Sequence, residues 1–110
     1  MKFSYTATNA AYVRQHGRCA KCGKHLKMIY EDWRGHEGAW TAHDLVPLED
    51  GGVNRAYNCI ILCITNPDCH LNFAHGGDPG KHIFLSQFAF PYWMSRDSVG
   101  QAWEAVMSGA

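Results

Sequence analysis

The arrangement of the cysteines constrains the fold of this 110-residue chain more than any other feature. Cys19 and Cys22 form a CxxC pair, and Cys63 and Cys69 form a second pair with ITNPD between them. Structural zinc sites take four tetrahedral ligands, commonly from two pairs that are distant in sequence. We therefore predict a structural Zn²⁺ bound by these four residues, although the second spacing exceeds the usual two to four residues; ordinary buried or free thiols are the alternative. Cys59 lies in an apolar run and is predicted to be a core residue.

Length and composition predict one globular domain over residues 1–110. Hydrophobic residues make up 46% of a chain that is small enough to gain from a metal crosslink. It has no apolar run long enough to cross a membrane, and its first residues lack the apolar stretch of a signal peptide. We therefore expect a cytoplasmic protein, where cysteines point to metal binding before disulfides.

Charge is distributed unevenly along the chain, although the formal net charge is zero. Six basic residues and no acidic one precede Glu31, whereas the remainder carries four basic and ten acidic residues. The basic N-terminal third is compatible with phosphate contacts or with a plain solvated face, and composition does not separate the two. The neutral total argues against strong nonspecific binding to nucleic acid.

Hydrophobic patterns and turn residues predict an α+β fold with short elements. The expected elements are a helix capped by Thr8 or Asn9 that ends at Gly17, strands at 26–30 and 40–43, a turn at 49–52, a strand or buried helical segment at 56–62, a short helix at 70–75, and a C-terminal helix at 98–107.

Three histidines accompany these elements. His43 ends a predicted strand, His70 follows a cysteine directly, and His75 ends the short helix before Gly76. Imidazoles from a strand end and a following helix can hold a metal ion that keeps an open position for water or a phosphate oxygen. Five residues span about 140° of a regular α-helix, so His70 and His75 share an ion only if the helix ends or widens into a π-turn. A plain helix-end histidine is the alternative for His75.

In this order of elements, residues 9–77 resemble the HNH (ββα-metal, His-Me finger) endonuclease superfamily. The resemblance covers the helix before CxxC, the segment AHDLVPLEDGG, Asn58, and the Leu-Cys…Cys-His segment that enters the last helix. It implies a ββα-metal core with an N-terminal helix and a C-terminal extension from about residue 80. In the family, a metal ligand precedes the catalytic histidine, and two residues and a proline follow. His43 then matches the ligand, and Asn58 matches the asparagine that ties the loop and orients the base.

The chain departs from this family pattern at two positions. His70 matches the first ligand of the helix, but the second ligand of the paired form would fall on Ala74, one residue before His75. The general-base position holds Asp44 instead of histidine. An imidazole, with an ordinary pKa of about 6.5, suits a base at neutral pH better than a carboxylate with a pKa of about 3.9.

Four interpretations of Asp44 remain open. It acts as a weak base or a metal ligand; another histidine, such as His25 or His36, supplies the base; a strand bulge makes His43 the base; or the domain has lost hydrolysis and keeps a binding role.

The resemblance implies a metal-dependent endonuclease that hydrolyses phosphodiester bonds in DNA. His43, His70 and His75 would hold a second divalent ion (Mg²⁺, Mn²⁺, Ni²⁺ or Zn²⁺), with Asp44 and Asn58 as catalytic residues. The alternative is a catalytically impaired HNH-like zinc module that binds a protein or nucleic-acid partner as an inhibitor or adaptor. A zinc-ribbon structural protein with no second metal is a third hypothesis. The aromatic segment 82–93 is a possible protein-binding surface or part of the core.

Overall fold

Two short antiparallel strands organise the part of the chain that the computed structural model describes, residues 3–81. Helix α1 spans Tyr5–Arg14, strand β1 spans Trp40–Asp44 and strand β2 spans Cys59–Cys63. A single π-helical turn follows at His70–Ala74. Together they give a small α+β fold; the predicted helix at 98–107 and the aromatic segment 82–93 lie outside the described residues.

Strands β1 and β2 pair in a continuous register. Trp40 lies opposite Cys63, His43 opposite Ile60, and Asp44 opposite Cys59, without an extra residue on either strand. Every residue of β2 is buried, as expected for a strand covered on both faces. Because the ladder contains no bulge, the interpretation that a strand bulge exchanges the roles of His43 and Asp44 is wrong.

The outer edge of β2 is covered by side chains and backbone from α1 and the first cysteine pair. Gln15, only 1% exposed, accepts a hydrogen bond from Ile61 N–H at 2.8 Å and donates to Ile61 O at 3.0 Å. Arg14 donates to Cys59 O at 2.6 Å, and Ala20 N–H donates to Ile61 O at 3.0 Å. Backbone groups that an edge strand would leave unpaired are therefore satisfied within the domain.

Several predicted elements are confirmed, and the structure settles one open choice. The strand at 40–43 is present and extends by one residue to Asp44. The ambiguous segment 56–62 divides into a 3₁₀ turn, Ala56–Asn58, and strand β2. The predicted turn at 49–52 is present and overlaps another 3₁₀ turn, Leu48–Asp50, which ends at Gly51 in the left-handed conformation.

One predicted helix boundary and one predicted strand are wrong. Helix α1 begins at Tyr5 rather than after Thr8, because Ser4 Oγ accepts a hydrogen bond from Ala7 N–H and caps the helix one turn earlier. The predicted strand at 26–30 is instead a 3₁₀ turn, Met28–Tyr30, whose residues are not buried. No described strand lies beside it to complete a ladder, and β-propensity alone does not form a strand.

The contacts of Gln15 generate a stability prediction. We expect Gln15→Leu to lower the free energy of unfolding by about 2–4 kcal/mol, because it leaves the buried N–H of Ile61 without its acceptor. Urea unfolding at a fixed zinc concentration measures this change. Thr6→Leu, an exposed polar-to-leucine change in α1, is the control and should stay within about 0.5 kcal/mol. Equal effects of the two variants would contradict the assigned role of Gln15.

Candidate metal centres

The four cysteines predicted to bind zinc lie together. The sulfurs of Cys19, Cys22, Cys63 and Cys69 are all within 4.8 Å of one another, and Cys22 Sγ is 3.7 Å from Cys63 Sγ. Two sulfurs bound to one tetrahedral zinc at about 2.3 Å lie about 3.8 Å apart. The cluster is therefore positioned to hold a metal ion and is compatible with zinc.

Electrostatics within this cluster favours a bound cation. Hydrogen bonds from the thiols of Cys63 and Cys69 lower the pKa of Cys19 to about 2. The hydrogen bond between Cys63 and Cys19 in turn raises the pKa of Cys63 to about 12. The pKa of Cys69 is also raised by these contacts. One thiolate in this cluster therefore opposes ionisation of its neighbours, and a set of thiolates at these distances requires a cation between them.

Cys59 is separate from this cluster, as predicted. It is fully buried in the core and does not belong to the four-sulfur group. Burial raises the pKa of Cys59 to about 12, although the positive charge of Arg14 lowers this pKa in part. Cys59 is therefore a protonated core thiol at neutral pH.

Basic residues of the N-terminal third make structural contacts around the cysteine cluster. Arg14 donates to Ala56 O and Cys59 O, and Arg18 Nε donates to Gly23 O at 2.9 Å. Lys24 Nζ donates to Thr65 O and Asn66 O, which belong to the loop between the second pair of cysteines. These three cations are therefore used within the fold, which favours a structural role over a phosphate-binding face.

The three histidines also converge on one point. The ring centroids of His43 and His70 are 5.2 Å apart, those of His43 and His75 are 5.3 Å apart, and those of His70 and His75 are 4.6 Å apart. One nitrogen from each ring lies within 4.8 Å of the others. Nε2 of His70 and Nε2 of His75 are 3.2 Å apart, close to the roughly 3.4 Å expected for two imidazoles on one ion at about 2.1 Å.

A π-helical turn resolves the spacing problem between His70 and His75. The turn spans His70–Ala74, and its wider winding brings residues five apart onto one side. The condition derived from the sequence for His70 and His75 to share an ion is therefore met. Burial, with a smaller contribution from His75, lowers the pKa of His70, which favours the neutral form that binds metal ions.

A backbone contact orients the ring of His75. Its Nδ1 lies within hydrogen-bond distance of Lys81 O, and a carbonyl can only accept, so Nδ1–H donates. In the neutral ring this leaves the lone pair on Nε2, the nitrogen that lies near His70. Such a contact holds a metal-binding imidazole in the required tautomer.

Asn58 ties the loop between the strands to the start of β2. Its side chain is fully buried, accepts from Val46 N–H at 2.8 Å, and donates to Val46 O and Val53 O at 3.0 Å each. Gly52 allows the loop to close, since an added Cβ there would lie 2.0 Å from Val46 O. Beside this loop, Asp44 Oδ2 accepts a hydrogen bond from Leu48 N–H at 3.0 Å. Asn58 thus fixes the backbone that positions Asp44.

A cavity of about 150 Å³ opens beside the histidines, and we name it the inner cavity. Its polar lining consists of the three histidines, Thr8, Thr41 and the carboxylates of Glu31, Asp32 and Asp44. Glu31 and Asp32 lie in a loop without a motif, so no pattern in the sequence marks them as site residues. Thr41 Oγ1 donates to Asp32 Oδ1 at 2.6 Å and fixes that carboxylate. Neither His25 nor His36 belongs to the described lining, so the interpretation that one of them supplies the base has no geometric support.

Comparison with known proteins does not assign the chain to a family. Neither a protein-family model nor a curated protein matches it. Within residues 3–81, no helix has the length and apolar character required to cross a membrane. Function must therefore be argued from the two clusters and the cavity themselves.

The cysteine cluster generates a metal-binding prediction. Full-length protein titrated with Co²⁺ should develop a thiolate-to-cobalt absorption band with about one equivalent of metal at this cluster. Cys19→Ser should remove most of that band and unfold the domain, since metal affinity at such a site contributes directly to folding. Cys59→Ala is the matched control and should retain the band. Loss of the band in both variants, or in neither, would contradict the assigned ligand set.

Proposed function

We propose that the protein is a metal-dependent endonuclease of the HNH type that hydrolyses phosphodiester bonds in DNA, with a structural zinc at the four cysteines. The convergence of His43, His70 and His75 beside an open cavity is the observation that carries this proposal. Three imidazoles leave part of the coordination sphere of an ion open, as hydrolytic sites require. The order of helix, two antiparallel strands and a histidine-bearing turn also fits the resemblance noted in the sequence.

Each residue of the site has a role in this proposal. His43, His70 and His75 bind one divalent ion, which supplies positive charge next to the scissile phosphate and its leaving oxygen. Asp44 occupies the base position and accepts a proton from the attacking water. Asn58 is a positioning residue that holds the loop carrying Val46 and thereby the backbone beside Asp44.

A second candidate function, a catalytically impaired binding module, is favoured by the charge of the inner cavity. Glu31, Asp32 and Asp44 all line it, and its described lining contains no lysine or arginine. A phosphodiester is repelled by three carboxylates unless a bound ion compensates for their charge. In this alternative the chain keeps the scaffold and binds a partner without hydrolysing it.

The nuclease proposal predicts metal-dependent nicking. Purified protein should convert supercoiled plasmid to the open circular form with Mg²⁺, Mn²⁺ or Ni²⁺. His70→Ala removes a direct ligand of the ion. It should therefore lower the nicking rate by more than the loss of an outer-shell partner does, which is roughly 10–100-fold. His25→Ala, an exposed histidine outside the described cavity lining, should leave the rate unchanged. A metal-loaded wild-type protein that cleaves neither plasmid nor single-stranded DNA would refute the nuclease.

Substitutions of Asp44 separate the two candidate functions. If its carboxylate is the base, Asp44→Asn should lower the nicking rate by about 10²–10⁴-fold while its side-chain oxygen can still accept from Leu48 N–H. Asp44→His should retain or raise the rate, because an imidazole is the better base near neutral pH. An inactive wild type that gains nicking on Asp44→His would instead support the impaired module. Equal rates in all three proteins would exclude a base at this position.

A further inference from the structure

The inner cavity continues into a larger one that no part of the proposed hydrolysis uses. This outer cavity, about 460 Å³, is lined by Tyr5 and Trp33 together with Phe3, Thr8, Glu31 and Asp32. The last four of these residues also line the inner cavity, so the two cavities adjoin, and we call them together the groove. Ligand pockets commonly measure about 300–1,000 Å³, and the outer cavity falls in that range.

Exposed aromatic rings characterise the outer cavity. Trp33 is 53% exposed and Tyr5 is 80% exposed, although a folded domain tends to bury such rings. Tyr30 stacks on Trp33 with a centroid distance of 5.5 Å and an interplanar angle of 25°, which supports the indole from one side. His36 contacts both rings at 5.1–5.2 Å. The indole ring of Trp33 is thus packed against Tyr30 on one side and also lines the outer cavity.

The charge of the groove indicates which part of a nucleotide belongs there. Glu31 and Asp32 form a wall common to both cavities, and a carboxylate repels a phosphate but accepts hydrogen bonds from amino groups of bases. Thr41 Oγ1 donates to Asp32 Oδ1 and so holds this carboxylate in place beside both cavities. The wall therefore suits a base with an amino group and disfavours a second backbone phosphate.

We propose that the outer cavity binds an unpaired, amino-bearing nucleobase of the nucleic-acid substrate, stacked on Trp33 with its amino group at Asp32 and Glu31. The proposal rests on the proposed function for the position of the phosphate, which would lie over the histidines in the inner cavity. The inner cavity, about 150 Å³, is the smaller of the two cavities and is the one that contains the histidines. A paired base cannot enter, because its amino group and faces are already engaged in the duplex.

Binding of short labelled oligodeoxynucleotides, followed by fluorescence anisotropy, tests this proposal on the full-length metal-loaded protein. Single-stranded oligo-dC should bind about tenfold more tightly than oligo-dT, which lacks the amino group, and also more tightly than a duplex of the same length. Trp33→Ala should weaken oligo-dC binding about tenfold, the order of one base–aromatic stack, and Trp33→Phe should restore most of it. Asp32→Asn, compatible with the left-handed backbone of that residue (φ 61°), should bring the dC and dT affinities together.

Controls and contrary outcomes follow from the same geometry. Ile29→Ala removes an exposed side chain outside the described groove lining and should change nothing. Equal affinity for dC, dT and duplex, or no effect of Trp33→Ala, would overturn the proposal. A lysine-rich peptide that binds in a Trp33-dependent way while oligonucleotides do not would also overturn it, since the groove would then hold a cationic side chain. Fluorescence anisotropy measures binding without cleavage, so the two proposals can fail separately. Absence of cleavage refutes only the nuclease activity. Binding that does not depend on Trp33 refutes only the nucleobase site.

Discussion

Strand β2 is the element on which both the cysteine cluster and the histidine cluster depend, because its two faces and its two edges are all occupied. One edge pairs with β1, and the other receives hydrogen bonds from Arg14, Gln15 and the first cysteine pair. The N–H of Cys63 even donates to Cys19 Sγ at 3.4 Å, so the strand contacts the cysteine cluster directly. A strand satisfied in this way has a fixed position, and so do the residues at its ends.

The two clusters are joined through short stretches of backbone. Cys69 and His70 are consecutive, and Cys63 lies opposite Trp40 at the start of the strand that carries His43. A cation that clamps the four sulfurs would therefore also hold the beginning of the π-helical turn. In a domain of this size a metal crosslink contributes much of the folding free energy. The histidine centre thus depends on the cysteine centre for its geometry, whereas no described contact requires the reverse.

Charge divides the groove into parts with different chemistry. Imidazoles bind metal ions in their neutral form, and the carboxylates beside them make the groove acidic. An ion among the histidines would place positive charge only at the inner end, where a phosphate is expected. The outer end keeps its carboxylates and exposed aromatic rings, which suit a base rather than a backbone. Under the proposed function, this separation would reconcile an acidic cavity with a polyanionic substrate, which neutral net charge alone would not suggest.

Residue types and spacing were sufficient to predict the ligand chemistry of two cysteine pairs and three histidines. They also set the condition that His70 and His75 share an ion only if the helix ends or widens into a π-turn. The sequence did not predict that Ser4 caps α1, which therefore begins at Tyr5. It also did not predict that Met28–Tyr30, without a neighbouring strand, forms a 3₁₀ turn. Only the tertiary structure brought Glu31 and Asp32 to the histidines and Trp33 to the adjoining cavity, because their loop carries no periodic or motif signal. Spacing encodes contacts within an element, but a groove between α1, a loop and β1 forms only when the packing of β2 fixes all three in place.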